Sequence, residues 1–98
     1  MQDVTITRKD SDTHGEYRAK VDGHDETGEL TYRKEADGQV LVADHTFVPP
    51  SLRGKSLAGK LVEALIADAR EEGFKIKPVC SYVVTAFQRN PEWSALKA

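Results

Sequence analysis

The chain is poor in the residues that usually announce a function. It has one cysteine, Cys80, so no intrachain disulfide can form. That excludes a small secreted scaffold held by disulfides. No C-x-x-C or H-E-x-x-H spacing occurs, and His14, His24 and His45 are too scattered to propose a metal site. No run approaches the ~18 apolar residues of a membrane-spanning helix. The start, Met1-Gln2-Asp3-Val4-Thr5, has no basic segment ahead of an apolar core, as a secretory signal would have. Positive charge is not in surplus either: 14 Lys and Arg against 16 Asp and Glu leave a formal charge of −2. A nucleic-acid binder usually carries a basic excess. There is also no linker, repeat or low-complexity segment. These exclusions lead to the expectation of a single domain over residues 1–98, cytoplasmic, a monomer or weak homodimer, with no nucleic-acid or membrane partner.

Hydrophobic residues make up 39% of the chain and charged residues 31%, enough for one modest core. The first half alternates with a period of two, the signature of half-buried strands. Val4–Arg8, Glu16–Val21, Glu29–Lys34 and Gln39–Val48 are the predicted strands. Asp22-Gly23 and Asp37-Gly38 are hairpin signals between them. Pro49-Pro50 ends the pairing, because neither residue has an N–H for the ladder. The period then becomes helical. Leu57, Leu61, Val62, Leu65, Ile66 and Ala69 form an apolar stripe over 56–72, and Gly73 is a stop in the C′ position. Phe74–Val79 follows as a fifth strand. A helix between strands four and five implies a parallel pair in an otherwise antiparallel sheet. Tyr82–Asn90 is a second, shorter helix, ended by Pro91. The tail packs back through Trp93 and Leu96.

The most informative stretch runs from Val48 to Gly59. A basic, glycine-containing turn at a helix start gathers free backbone N–H groups and the positive end of the helix dipole at one spot. Gly54-Lys55-Ser56 matches the last letters of the phosphate loop G-x-x-x-x-G-K-[ST], but the first glycine would fall on Pro49, which has no N–H to offer. A pyrophosphate cradle of the form [Q/R]-x-x-G-x-[G/A] fits better. Arg53 and Ala58 match its ends, and Ser56 replaces its middle glycine. An ordinary strand-to-helix loop without a ligand is the alternative at this point.

The order of the elements, with the strings Asp44–Pro50, Leu52–Val62 and Lys77–Val83, resembles the core of the GCN5-related N-acetyltransferases, an α+β fold with a mixed sheet. The likeness is closest to their very small, single-domain, acetyltransferase-like (YjdJ-like) members, whose ending Gln88-Arg89-Asn90-Pro91-Glu92-Trp93 also looks like. The resemblance spans 40–98 well and the earlier strands by pattern only. It implies that acetyl-CoA is bound and that an acyl group passes to an unidentified small amine or exposed amino group. A coenzyme A binding module with little turnover is the alternative, motivated by the shortness of the chain. The pantetheine arm would lie against the backbone of Thr46, Phe47 and Val48. The pyrophosphate would rest on Gly54, Lys55, Ser56, Leu57, Ala58 and Gly59, with Arg53, Lys55 and Lys60 answering its charge. Tyr82, at the start of the last helix, joins the cofactor-binding set.

Acetyl transfer needs a neutral amine, a donor for the thioester oxygen and a proton for the leaving thiolate. Asp44 and His45 on strand four and Tyr82 are the groups on offer. Cys80 stands just before a helix start, where the dipole favours thiolate. In the small members this strand-end cysteine is suspected near the acetyl thioester. Cys80 is therefore the candidate nucleophile and His45 its candidate base, provided that both face the same cleft.

Overall fold

A computed structural model describes residues 3–98, so Met1 and Gln2 lie outside the described residues. The sheet is built from β1 (Val4–Asp10), β2 (His14–Val21), β3 (Thr27–Glu35), β4 (Val40–Phe47) and β5 (Lys75–Pro78). They lie in chain order, antiparallel except for the parallel β4–β5 pair. Two α-helices, α1 (Leu57–Glu72) and α2 (Ser81–Arg89), are followed by a 3₁₀ segment over Pro91–Leu96. This is the expected mixed sheet, meander and helix order, with strand ends within two residues of the sequence reading.

Alternation decides which face of the sheet is buried. Tyr17, Ala19 and Val21 of β2 and Leu30 and Tyr32 of β3 point the same way and are at most 2% exposed. All six residues of the α1 stripe are buried, and α1 packs across β1, β2 and β3. α2 packs on β4 and β5, with Val83 and Phe87 buried. Trp93 and Leu96 are half-buried against the same core, as expected of the tail.

Two local features depart from the sequence reading. The Asp37-Gly38 turn is a 3₁₀ segment over Ala36–Gly38 in which Ala36, Asp37 and Gly38 all have positive φ. The strand read as unbroken from Gln39 to Val48 carries a β-bulge. Thr31 pairs with His45 but Tyr32 pairs with Ala43, so Asp44 is an extra residue in β4.

A polar clamp ties the sheet to α1. Arg8 continues the inward-facing series Val4, Ile6, Arg8, so its guanidinium enters the packed side. It lies 5.4 to 5.9 Å from the ring centres of Tyr17, Tyr32 and Phe74. It donates to the Tyr32 hydroxyl at 3.0 Å, to Asp68 at 3.2 Å and to Glu72 at 2.8 Å. The Tyr17 hydroxyl donates to the same Asp68 carboxylate at 2.8 Å, and the Tyr32 hydroxyl to Asp10. Burial and the bond to Asp10 push the Tyr32 phenol up to about 12. Gly15 faces Tyr32 across the strands, and a Cβ there would collide with the Tyr32 hydroxyl. Arg8→Met keeps the apolar stem but leaves the Asp68 carboxylate without its cation. We expect it to lower the unfolding free energy by about 2 kcal/mol, less than the loss for a fully buried pair, in urea titrations with an unchanged m-value.

Candidate active site

The strand that ends at Pro78 opens the site. Pro78 has no N–H, and the next two amides, of Val79 and Cys80, both donate to the Ala43 carbonyl at 3.0 Å. That oxygen is the last backbone link between β4 and β5. Their pairing covers only Val40 to Ala43, while β4 continues to Phe47 alongside β3. Beyond Ala43 the strands part in a V. One wall is the backbone of β4 after the bulge. The other is the first turn of α2.

Cys80 stands at the N-cap of α2. Its Sγ is 3.5 Å from the Thr46 hydroxyl, across the V. Burial raises the thiol's pKa. The Thr46 hydroxyl and the amides of Val83, Tyr82 and Thr46 outweigh it, so the thiol is held below its ordinary value. No side-chain cap hydrogen bond of ordinary geometry is made to the helix, so the amides act on the sulfur mainly through their dipoles. Cys80 is half-buried, and the side chains of Phe47, Val79 and Tyr82 are each 43 to 50% exposed.

The bulge decides where His45 goes. In an unbroken strand His45 would share a face with Leu41 and Ala43. The extra residue turns Thr46 to that face and leaves His45 and Phe47 on the other, stacked at 6.4 Å with their rings 8° apart. His45 is thus not brought to Cys80. Asp44 accepts from the Thr31 hydroxyl at 2.6 Å and lies 4.0 Å from Arg33, on the face away from α1.

The turn before α1 is the second half of the site. Ser56 caps the helix in a left-handed conformation, φ 60° and ψ 29°, with no side-chain cap bond. This is the position at which the cradle pattern has glycine, and the backbone supplies the reason: a Cβ is strained there. Gly54 is also left-handed, with φ 84°, and nothing lies within 4 Å of the place a Cβ would take. The first intrahelical bond runs from Lys60 N–H to the Ser56 carbonyl. The amides of Leu57, Ala58 and Gly59 therefore have no acceptor within the helix. They open on a depression of about 180 Å³ lined also by Val48, Arg53 and Tyr82. Open donors, a left-handed entry and one arginine suit an anionic group. Lys55 and Lys60 are not brought there. They line a larger open depression, about 700 Å³, toward Val4 and Ile6 of β1.

A family model described as GCN5-related N-acetyl-transferase matches residues 16–96, from β2 to the end of the 3₁₀ segment. The chain belongs to the GCN5-related N-acetyltransferase family. Membership supports acetyl-CoA-dependent acyl transfer in general, with acetyl-CoA as the family's co-substrate. In this chain the geometry gathers Thr46, Val48, Cys80 and Tyr82 with the backbone of the Arg53–Gly59 turn. It sets the side chains of His45, Lys55 and Lys60 apart. Sequence reasoning gave no ligand role to Thr85, Arg89 and Trp93, which line a groove between α1 and α2. The Gln88–Trp93 string covers Arg89 and Trp93 but not Thr85, and it carries no chemistry until the helices are packed.

Two measurements test this description. Ser56→Gly should raise stability and Ser56→Val lower it, each by up to about 1 kcal/mol in thermal unfolding, because the left-handed cap favours one and penalises the other. Alkylation of Cys80 by iodoacetamide, followed against pH, should show a midpoint below the ~8.5 of a free cysteine. Thr46→Val should move that midpoint up.

Proposed function

We propose that this protein is an acetyl-CoA-dependent N-acyltransferase acting on a small amine or an exposed amino group. The observation that carries the reading is the V beyond Ala43, with Cys80 and Thr46 facing each other 3.5 Å apart inside it and the open amides of α1 at its outer end. In this reading the unpaired edge of Thr46, Phe47 and Val48 takes the pantetheine arm as a strand would be taken. The amides of Leu57 to Gly59, with Arg53, take the pyrophosphate. Acetyl-CoA supplies an activated acyl thioester.

The chain's own chemistry is then concentrated on few atoms. The Cys80 thiolate is a nucleophile whose charge is shared by the Thr46 hydroxyl and the first amides of α2. It forms a bond from Sγ to the acyl carbon as the coenzyme thiolate leaves. A neutral amine then takes the acyl group, gives up its proton to solvent and restores Cys80. The Val48 N–H is suited to the oxyanion that develops in both steps. His45, held on the other face, takes no part in the activation of Cys80.

Calorimetry with acetyl-CoA and coenzyme A is the first test. Binding of both is expected, and no heat at ~1 mM ligand, a Kd weaker than about −4 kcal/mol of binding, would sink the reading. Intact mass after incubation with acetyl-CoA should then show one acetyl group, absent in Cys80→Ala. Product formed from a panel of amines by Cys80→Ala at the wild-type rate would mean direct transfer without the cysteine. Tight binding with neither adduct nor product would mark a binding module.

A further inference from the structure

The two edges of the sheet are finished in opposite ways. β5 is four residues long and ends at Pro78. Its free side is also covered, because Ile76 bridges to Lys97 and the Ala98 amide donates to the Ile76 carbonyl at 2.8 Å. Shortness, proline and a covering segment all keep a sheet edge from pairing with another chain. None of them is found on β1. It runs for seven residues without proline or bulge, in unbroken register with β2, and begins with β-branched residues from Val4 to Thr7. We propose that the β1 edge is the docking surface for a second copy of this chain, which adds its own β1 antiparallel about a two-fold axis at Ile6.

The existing ladder fixes which backbone groups are on offer. The Ser11 amide donates to the His14 carbonyl at one end of the β1–β2 pair, and the Asp22 amide to the Asp3 carbonyl at the other. Thr5, Thr7 and Lys9, in step with them, therefore bond to β2. The N–H and C=O groups of Val4, Ile6, Arg8 and Asp10 point the other way, to the free edge. A second ladder can be made only between those residues. With the axis at Ile6, Val4 of one copy bonds with Arg8 of the other, and Ile6 bonds with itself.

Charge selects this register. It sets Asp3 opposite Lys9 of the other copy on both sides of the axis, with Thr5 opposite Thr7. Asp3 and Lys9 are exposed, and neither side chain has a partner among the described residues. Opposite charges and threonine pairs across a ladder are both favourable. An axis at Thr5 or Thr7 separates Asp3 from Lys9, and one at Arg8 or Lys9 sets like charges together.

The inward side of the edge fits the same partner. Val4 and Ile6 are only half-buried against the core. Beside them lies the open depression of about 700 Å³, lined also by Asp3, Lys60, Glu63 and Ala64. Val4 and Ile6 of the second copy cover its open side. Its charged lining carries both signs, as a surface that meets its own copy requires. The V beyond Ala43 lies at the other edge of the sheet, so the pairing leaves it open. The proposal thus stands apart from the acyl-transfer reading.

Sedimentation equilibrium of the full chain is the test. The wild type should show twice the mass of one chain at about 0.1 mM and dissociate on dilution. Asp3→Lys should weaken the dimer about tenfold, because it turns both symmetric pairs from attraction to repulsion. Adding Lys9→Asp to it should restore the dimer. Val4→Pro removes an amide that bonds to nothing in its own chain. It should loosen the dimer and leave the thermal unfolding of dilute protein unchanged. Exchange of the Ile6 amide should be slower in concentrated than in dilute protein. The mass of one chain at every concentration, a dimer that neither Asp3→Lys nor Val4→Pro weakens, a double variant no tighter than Asp3→Lys alone, or an Ile6 amide indifferent to concentration would each overturn the proposal.

Discussion

The Ala43 carbonyl accepts two amides, those of Val79 and Cys80, and the rest of the site depends on that shared oxygen. Pro78 cannot donate, so the parallel ladder has no regular next step. The chain uses the following two N–H groups on one acceptor and turns at once into α2. This places Cys80 at a helix N-cap rather than in a strand, with its sulfur under the first amides of the helix. It also releases the edge of β4 four residues before that strand ends. A longer β5 would have paired with Thr46 and closed the V. The short strand is therefore what opens the site, and the clamp around Arg8 helps hold the sheet and α1 together without it.

The two ends of the site are built from different materials. The cradle is mostly backbone: three open amides and a left-handed entry. Side chains matter there chiefly through the strain they add, so serine can stand at position 56 where the cradle pattern has glycine. The end at Cys80 is mostly side chain. The thiol's lowered pKa comes from a hydroxyl on the opposite wall and from helix amides, and the hydroxyl exists only because Thr46 faces inward. Substitutions should accordingly be tolerated more readily along the turn than at positions 46 and 80.

Much of this was legible in the sequence. The strand periods, the α1 stripe, the Gly73 stop and the parallel crossover all follow from spacing, because burial of a face leaves a periodic mark. What was not read was the extra residue in β4. Its trace is present: the inward series runs Leu41, Ala43, then Thr46 and Val48, a step of three in a period of two. Asp44 hid it, since a polar residue at that place reads equally well as an ordinary outward position. His45 is a candidate base for Cys80 only if both face one cleft, and the bulge turns it to the other face. The left-handed state of Ser56 left no mark of its own. Only the comparison with a pattern that carries glycine there exposes it.

The groove at Arg89 could not be read along the chain because it belongs to no single element. Each of its groups has an ordinary role within its own segment. Arg89 is a cation in the last turn of a helix, which suits the dipole. Asn90 closes that helix, and Trp93 anchors the tail on Phe87. Their convergence is produced by the packing of α2 and the 3₁₀ segment beside α1, and that packing is set by Val83 and Phe87 on the buried side of α2. The same two residues fix the height of Cys80 at the other end of the helix. One short helix thus carries the Cys80 sulfur at its start and the Arg89 guanidinium at its end.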